Sequence, residues 1–243
     1  MNGFVAALQF LTVCPWPKRT ERSAKELGQA AIFFPLIGFI LGLILALVGF
    51  LLEPLASSGL SSVALVAILA LLTRGLHLDG LADTFDGLGA GGERERMLQI
   101  MDDSHTGAFG MIAVVLLLFF KIHAVESIDN DRWRALLTAP ILGRWAMVVL
   151  GYRSRAAKPG LGSALIDRLE TRHFFFATFI TLLLIAAISR GAGIAMMLWV
   201  YLFALGSRSF FHRRLGGVTG DTFGAVGELS ETSVLVLLAM TSQ

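Results

Sequence analysis

AAIFFPLIGFILGLILALVGFLL, residues 30–52, runs without a single charge or strongly polar side chain. About 20 apolar residues in a helix cross the hydrocarbon core of a bilayer, so this run is long enough to span. Inside a bilayer every backbone polar group must find its partner within the protein, which leaves helices or a closed barrel. The run lacks the alternating polar positions of a barrel strand, and helix is the reading. Pro35 falls within its first turns, and Gly38 and Gly42 make a four-residue small pair suited to close helix contact. The rest of the chain has the same character: 55% hydrophobic, 16% charged, mean hydropathy +0.72 over 243 residues. A water-soluble domain of that composition would be exceptional. The fold class that follows is all-α, a polytopic membrane helical bundle, read as one domain over residues 1–243.

Working outward, six more apolar runs are expected to span: Ser61–Leu78, Ala108–Val125, Trp133–Tyr152, Phe174–Ser189, Gly191–Phe211 and Phe223–Met240. Together with Ala30–Leu52 they make about seven transmembrane helices, the fifth on the short side. Residues 1–17 are apolar but too short to span and lack the basic start of a signal peptide, so a short interfacial or half-buried helix stopped by Pro15 and Pro17 is expected. Asp79–Gly107 reads as a polar loop, helical in part from Glu93 to Leu98. Cys14 is the only cysteine, which excludes an internal disulfide and a thiolate metal site. The net charge of +2 gives no sign of nucleic-acid binding. Fifteen of the 20 Lys and Arg fall on the N-terminal side of the bundle. By the positive-inside rule that side, with the N-terminus and the aspartate-rich loop, faces the cytoplasm.

The chemistry is concentrated in Leu76-His77-Leu78-Asp79-Gly80-Leu81-Ala82-Asp83-Thr84-Phe85-Asp86-Gly87. On a helix, positions i, i+4 and i+7 share a face, which puts Asp79, Asp83 and Asp86 side by side. Three adjacent carboxylates repel unless a cation lies between them. A hard divalent ion such as Mg²⁺, bridging carboxylates to phosphate, is the usual solution. A solvated helix start, where acids are favoured by the helix dipole, is the alternative. A second acidic set comprises Asp221, Glu228 and Glu231. The two glutamates lie at the start of an otherwise apolar span and need a cavity, a cation or helix-start solvation. Two acidic sets on one membrane face would suit metal-assisted phosphoryl transfer. Arg144 lies inside a span and must be paired or face a cavity. Asp102-Asp103-Ser104-His105-Thr106-Gly107 offers hydroxyl, imidazole and helix-start N–H groups. His77 reads equally as ligand, base or interfacial residue. His123, His173 and His212, and the aromatics Trp16, Trp133, Tyr152 and Trp199, read as structural or interfacial.

Gly75 through Gly87, followed by Arg96-Met97-Leu98-Gln99-Ile100-Met101-Asp102-Asp103-Ser104, resembles the signature of the cobalamin synthases, also called adenosylcobinamide-GDP ribazoletransferases. The likeness extends in the family's order to Ala7–Thr12, Phe34–Gly38, Leu142–Trp145 and Gly217–Ala225. His105 stands where an arginine is expected in many members. The resemblance implies a transferase that joins adenosylcobinamide-GDP to α-ribazole or its 5′-phosphate. The products would be adenosylcobalamin or its phosphate and GMP, and Mg²⁺ would be required. It implies a multi-pass protein of the bacterial cytoplasmic (inner) membrane. Membrane residence leaves room for a homo-oligomer or an assembly with other enzymes of the pathway. On this reading Asp79, Asp83 and Asp86 hold the metal on the diphosphate. The proton of the attacking hydroxyl goes to Asp83, Asp86 or Glu228, and Arg144 offsets charge on the leaving GMP. His77, Ser104, Asp221 and Glu231 complete the binding set.

Three other classes fit less well. Phosphatidyltransferases acting on CDP-alcohols have Asp-Gly followed by Ala-Arg, which this chain lacks. Membrane prenyltransferases carry an Asn-Asp-x-x-Asp pattern, absent here. A cation-coupled transporter would place its acids near the midplane and show internal repeats, whereas these acids are expected at one face.

Overall fold

A computed structural model describes residues 2–13, 28–128, 131–189 and 191–241. Cys14, Pro15, Trp16, Pro17, the basic residues Lys18 to Lys25, and Arg190 lie outside the described residues. Within them the secondary structure is helical, as the composition requires: eleven α-helices and no strand beyond one isolated bridge pair. We number them α1 Asn2–Leu11, α2 Phe34–Leu52, α3 Ser58–Leu72, α4 Leu76–Ala90, α5 Arg94–Met101 and α6 Ala108–Glu126. These are followed by α7 Arg132–Gly151, α8 Leu161–Ile166, α9 Thr171–Ile188, α10 Ala192–Arg214 and α11 Gly220–Thr241. Six segments are long and apolar enough to span: Gly28–Leu52, which ends in α2, and helices α6, α7, α9, α10 and α11.

The least apolar of these is the most buried. α7 has a mean hydropathy of 1.2 against 2.8 for Gly28–Leu52, yet 94% of its spanning stretch is covered by protein. This inversion has a physical cause. A helix in the middle of a bundle meets side chains rather than lipid, so it can carry Thr138, Pro140 and Arg144. The outer helices present Phe, Leu and Ile to the bilayer, among them Phe50, Leu116, Phe119, Phe179, Leu183 and Leu198. α2 approaches α7 through the small pair read from the sequence. A Cβ at Gly38 would collide with the Pro140 carbonyl and lie 2.8 Å from the Ile141 Cα, and one at Gly42 would lie 2.7 Å from the Leu136 carbonyl. α1 is docked rather than merely interfacial. Ala6, Ala7 and Leu11 are buried, Phe10 stacks on Phe34, and Val13 N–H donates to the Leu72 carbonyl at 2.8 Å.

The second expected span is bent rather than straight: its two helices are long and apolar enough to span as a pair, which brings the spans to the expected seven when the pair is counted as one. Ser61–Leu78 is not one helix; α3 stops at Leu72, and α4 leaves it at an angle of 88°. The stop is a Schellman turn: Gly75 N–H donates to the Ala70 carbonyl at 2.8 Å and Arg74 N–H to Leu71 at 3.0 Å. Arg74 and Gly75 are both left-handed, at φ +57° and +65°. The left-handed arginine is costly, because only glycine, and less often asparagine, adopts that region easily. The expected loop Asp79–Gly107 is corrected, since most of it is helix in α4 and α5. α4 therefore runs across the bundle, outside the six straight spans, and carries all three aspartates with it.

Gly38→Leu is expected to wedge α2 off α7 and destabilise the protein by about 1–3 kcal/mol, the usual cost of overpacking. Gly206→Ala, a position with open space around it, should leave the apparent Tm in detergent unchanged or slightly higher.

Candidate active site

α4 is laid against α11 where both backbones are bare. A Cβ at Gly80 would come within 2.8 Å of the Asp221 carbonyl, and one at Gly224 within 3.0 Å of the His77 carbonyl. This crossing brings Asp221 beside the aspartate face of α4. The loop after α7 closes the cluster from a third side. A parallel bridge between Ala156 and Val218 ties that loop to the start of α11, with Ala157 N–H on the Val218 carbonyl at 2.9 Å. Arg94 of α5 holds the same loop through the Ala157 carbonyl, also at 2.9 Å. Lys158 is thereby fixed 2.6 Å from Asp102 and 3.3 Å from Asp221. Burial works against the Lys158 ammonium, but these two carboxylates outweigh it and hold its pKa above the usual lysine value.

The three aspartates share a face, as their spacing requires, but burial grades along it. Asp79 is exposed, Asp83 half-buried and Asp86 buried. Partial burial, with Asp79 and Asp221 nearby, pushes the Asp83 carboxyl up to about 7. Asp86 is occupied. Its carboxylate accepts the Gly107 N–H at 2.6 Å and the Gly110 N–H at 2.8 Å, closing the N-terminus of α6 from outside. Unpaired helix-start donors and the positive end of the dipole both favour a carboxylate there.

Glu228 and Glu231 are not at a helix start. α11 begins at Gly220, so they lie about 12 and 16 Å along it at 1.5 Å per residue. There they form a buried network with the two in-span cations. Lys121 donates to Glu228 at 2.5 Å and to Glu231 at 2.8 Å, and Arg144 is paired with the other oxygen of Glu231. The expected pairing of Arg144 is found, with a protein partner. The expectation that both acidic sets lie on one face is corrected: Glu228, Glu231 and Arg144 sit in the bundle interior. The midplane argument against a transporter loses its force for the same reason. His77 is buried at the junction, close enough to Arg144, Glu231 and Lys121 to feel their charges, and neither ring nitrogen has a partner among the described residues. Ser104 is exposed. His105 is exposed beside it, its ring 2.7 Å from Asp103, whose pKa it lowers through hydrogen bonding.

Two cavities meet at Asp79. An open groove of about 820 Å³ runs along one side of α4, lined by Arg74, Asp79, Thr106 and Met111 among others. A smaller cavity of about 310 Å³ lies on the other side, between α4, α11 and the Lys158 loop. Phe10, Leu76 and Asp79 belong to both walls.

Among the described residues no three His, Cys, Asp or Glu side chains converge to hold a metal by themselves. The donors present are hard oxygens, Asp79, Asp83 and Asp221. They suit Mg²⁺, which commonly takes one or two carboxylates and completes its shell with substrate phosphate and water. Two residues central to this geometry carried little weight in the sequence reading. Neither Lys121 nor Lys158 is among the candidate residues read from the sequence. A lone lysine inside an apolar run was the usable signal for the first. Nothing local marked the second, because its partners come from α5's end and α11.

Residues 3–239 match the family described as cobalamin-5-phosphate synthase. The chain is similar to the adenosylcobinamide-GDP ribazoletransferase of Geotalea daltonii, 41% identical over 97% of this chain and 96% of the relative. Proteins of the same name from Syntrophobacter fumaroxidans and Desulforamulus reducens are 38% and 37% identical. The first covers 96% of both chains, and the second covers 98% of this chain and 96% of its own. No solved structure matches the chain.

Glu231→Gln leaves the buried Lys121 and Arg144 with one carboxylate between them. A loss of about 3–5 kcal/mol is expected, as for breaking one side of a buried pair, and thermal unfolding in detergent measures it. Asp86→Ala removes a helix cap and should cost about 0.5–2 kcal/mol in the same assay.

Proposed function

The chain belongs to the cobalamin-5-phosphate synthase family, and from that premise we propose that it transfers the cobinamide phosphate of adenosylcobinamide-GDP to a ribazole where α4 crosses α11. The observation that carries the location is that Asp79, Asp221 and Lys158 line the smaller cavity where it meets the open groove, with Asp83 near enough to feel the charges of all three. Two substrates must be brought together there, and much of the barrier to joining them is removed by holding them in line.

The chemistry asks little of the protein beyond position and charge. A ribose hydroxyl oxygen attacks the phosphorus nearest the cobinamide. The bond from that phosphorus to the GMP oxygen breaks, and GMP departs with the bonding pair. Asp79 and Asp83 are the residues that would hold Mg²⁺, which when bound supplies charge neutralisation on the diphosphate. Asp221, on the wall of the smaller cavity, accepts the hydroxyl proton. The aspartate of the kinase catalytic loop does the same for a hydroxyl nucleophile. Lys158 holds Asp221 in place. Asp86 and the Lys121–Glu228–Glu231–Arg144 network act one step back: they are occupied by protein partners and fix the helices that carry the site. The excess of Lys and Arg on this face supports placing it in the cytoplasm, at a bacterial inner membrane.

Detergent-purified protein given adenosylcobinamide-GDP and α-ribazole should release GMP with a matching cobalamin product, and chelation of Mg²⁺ should stop it. Asp221→Asn should lower kcat by about 10²–10⁴-fold, the usual contribution of a positioned base. Asp83→Asn should raise the Mg²⁺ concentration needed for half-maximal rate. CMP formation from a CDP-alcohol, with no GMP from adenosylcobinamide-GDP, would assign the chain a different phosphotransfer.

A further inference from the structure

Resting on that reading, we propose that the two cavities divide the substrates. The 310 Å³ cavity takes the ribazole, and the 820 Å³ groove takes the nucleotide diphosphate end of the other substrate, with Asp79 at the boundary.

Size is the first argument. A partly open cavity of about 310 Å³ is at the low end for small-molecule pockets. It matches a nucleoside-sized ligand and excludes a corrinoid carrying a nucleotide. The wide groove can hold only part of so large a molecule, and it is open enough for the remainder to stay outside.

The linings give the second argument. Walls of the smaller cavity come from Phe10, Leu76, Met147 and Phe223, an apolar and aromatic surface suited to a flat heteroaromatic base. Its polar side includes Asp79, Asp221 and His77, with Asp102, Lys158 and Ser163 beside them. His77 is 4% exposed and both ring nitrogens lack a partner among the described residues. A buried imidazole without partners is expensive. One nitrogen donates and the other accepts, so a ribose hydroxyl reaching either one on a small turn of the ring supplies one missing partner. Asp221 lines the same cavity.

The groove has the complementary character. Its cation is Arg74, exposed at the bend and carried on a left-handed backbone at φ +57°. A non-glycine residue in that region costs stability, and such strain is retained where the side chain's position is used. Lys158, the cation of the smaller cavity, is already shared by Asp102 and Asp221. The guanidinium of Arg74 has no ion-pair partner among the described residues, which leaves it as the group for a diphosphate.

Steady-state kinetics on two variants, with each substrate varied in turn, test the division. Arg74→Gln should raise KM for adenosylcobinamide-GDP at least about tenfold, the loss expected for one charge-assisted hydrogen bond, and leave KM for α-ribazole within about twofold. Met147→Ala should do the reverse, raising KM for α-ribazole about tenfold or more. Because Met147 is buried, its thermal stability is measured alongside, and Met147→Leu serves if the alanine variant does not fold, with an altered preference among bases of different width as its readout. Equilibrium binding of α-ribazole alone to wild type and to His77→Ala supplies a readout apart from turnover, with at least tenfold weaker binding expected. Both variants shifting KM for the same substrate, or α-ribazole binding unchanged in His77→Ala, would overturn the division. Wild-type protein that forms no GMP at all would instead overturn the proposed function.

Discussion

Two cations and two anions buried inside an apolar bundle coexist only while each keeps its partners in reach. Lys121, Arg144, Glu228 and Glu231 meet that condition by summing to zero charge at one point where α6, α7 and α11 come together. The desolvation cost of such a network is large, and removing any one member leaves an uncompensated charge behind. The three helices are therefore held in one register. α4 is fixed relative to two of them, through the bare crossing of Gly80 and Gly224 on α11 and through Asp86 on the start of α6. The open carboxylates inherit their positions from this interior.

The elbow between α3 and α4 converts a span into a site. Continued straight, the helix would not have laid the three aspartates against α11. The Schellman turn at Arg74 and Gly75 instead swings them across the face of the bundle by 88°. Along α4 the environment then changes every turn, from solvent at Asp79, through partial burial at Asp83, to full burial at Asp86. One periodic motif thus serves two purposes: its first two acids remain available to a cation and a phosphate, and its third is a structural cap.

Much of this was legible in the sequence. Uncharged runs revealed the spans, the i, i+4, i+7 spacing revealed the shared aspartate face, and Gly38 and Gly42 revealed the close approach of α2. The solitary Arg144 announced a partner. What could not be read were facts of register between distant segments. Nothing within Glu228-Leu229-Ser230-Glu231 says that Lys121 lies opposite, 107 residues away. The start of α11 at Gly220 rather than Phe223 moved both glutamates deeper than their apolar surroundings suggested. Asp86 looked equivalent to Asp79 and Asp83 because periodicity reports a face and not what covers it. The bend escaped notice because leucines flank it on both sides, at 71, 72, 76 and 78, and a left-handed arginine has no sequence signature.

The central claim is that phosphoryl transfer occurs at the α4–α11 crossing and not at the buried network. Its most direct test is an experimental structure of the protein with Mg²⁺ and a methylene-bridged analogue of adenosylcobinamide-GDP, which cannot lose GMP. The diphosphate and its metal are expected beside Asp79 and Asp83, with the Lys121–Glu228–Glu231–Arg144 network intact. Phosphate or metal bound among Glu228, Glu231 and Arg144, with Asp79 and Asp83 untouched, would contradict it.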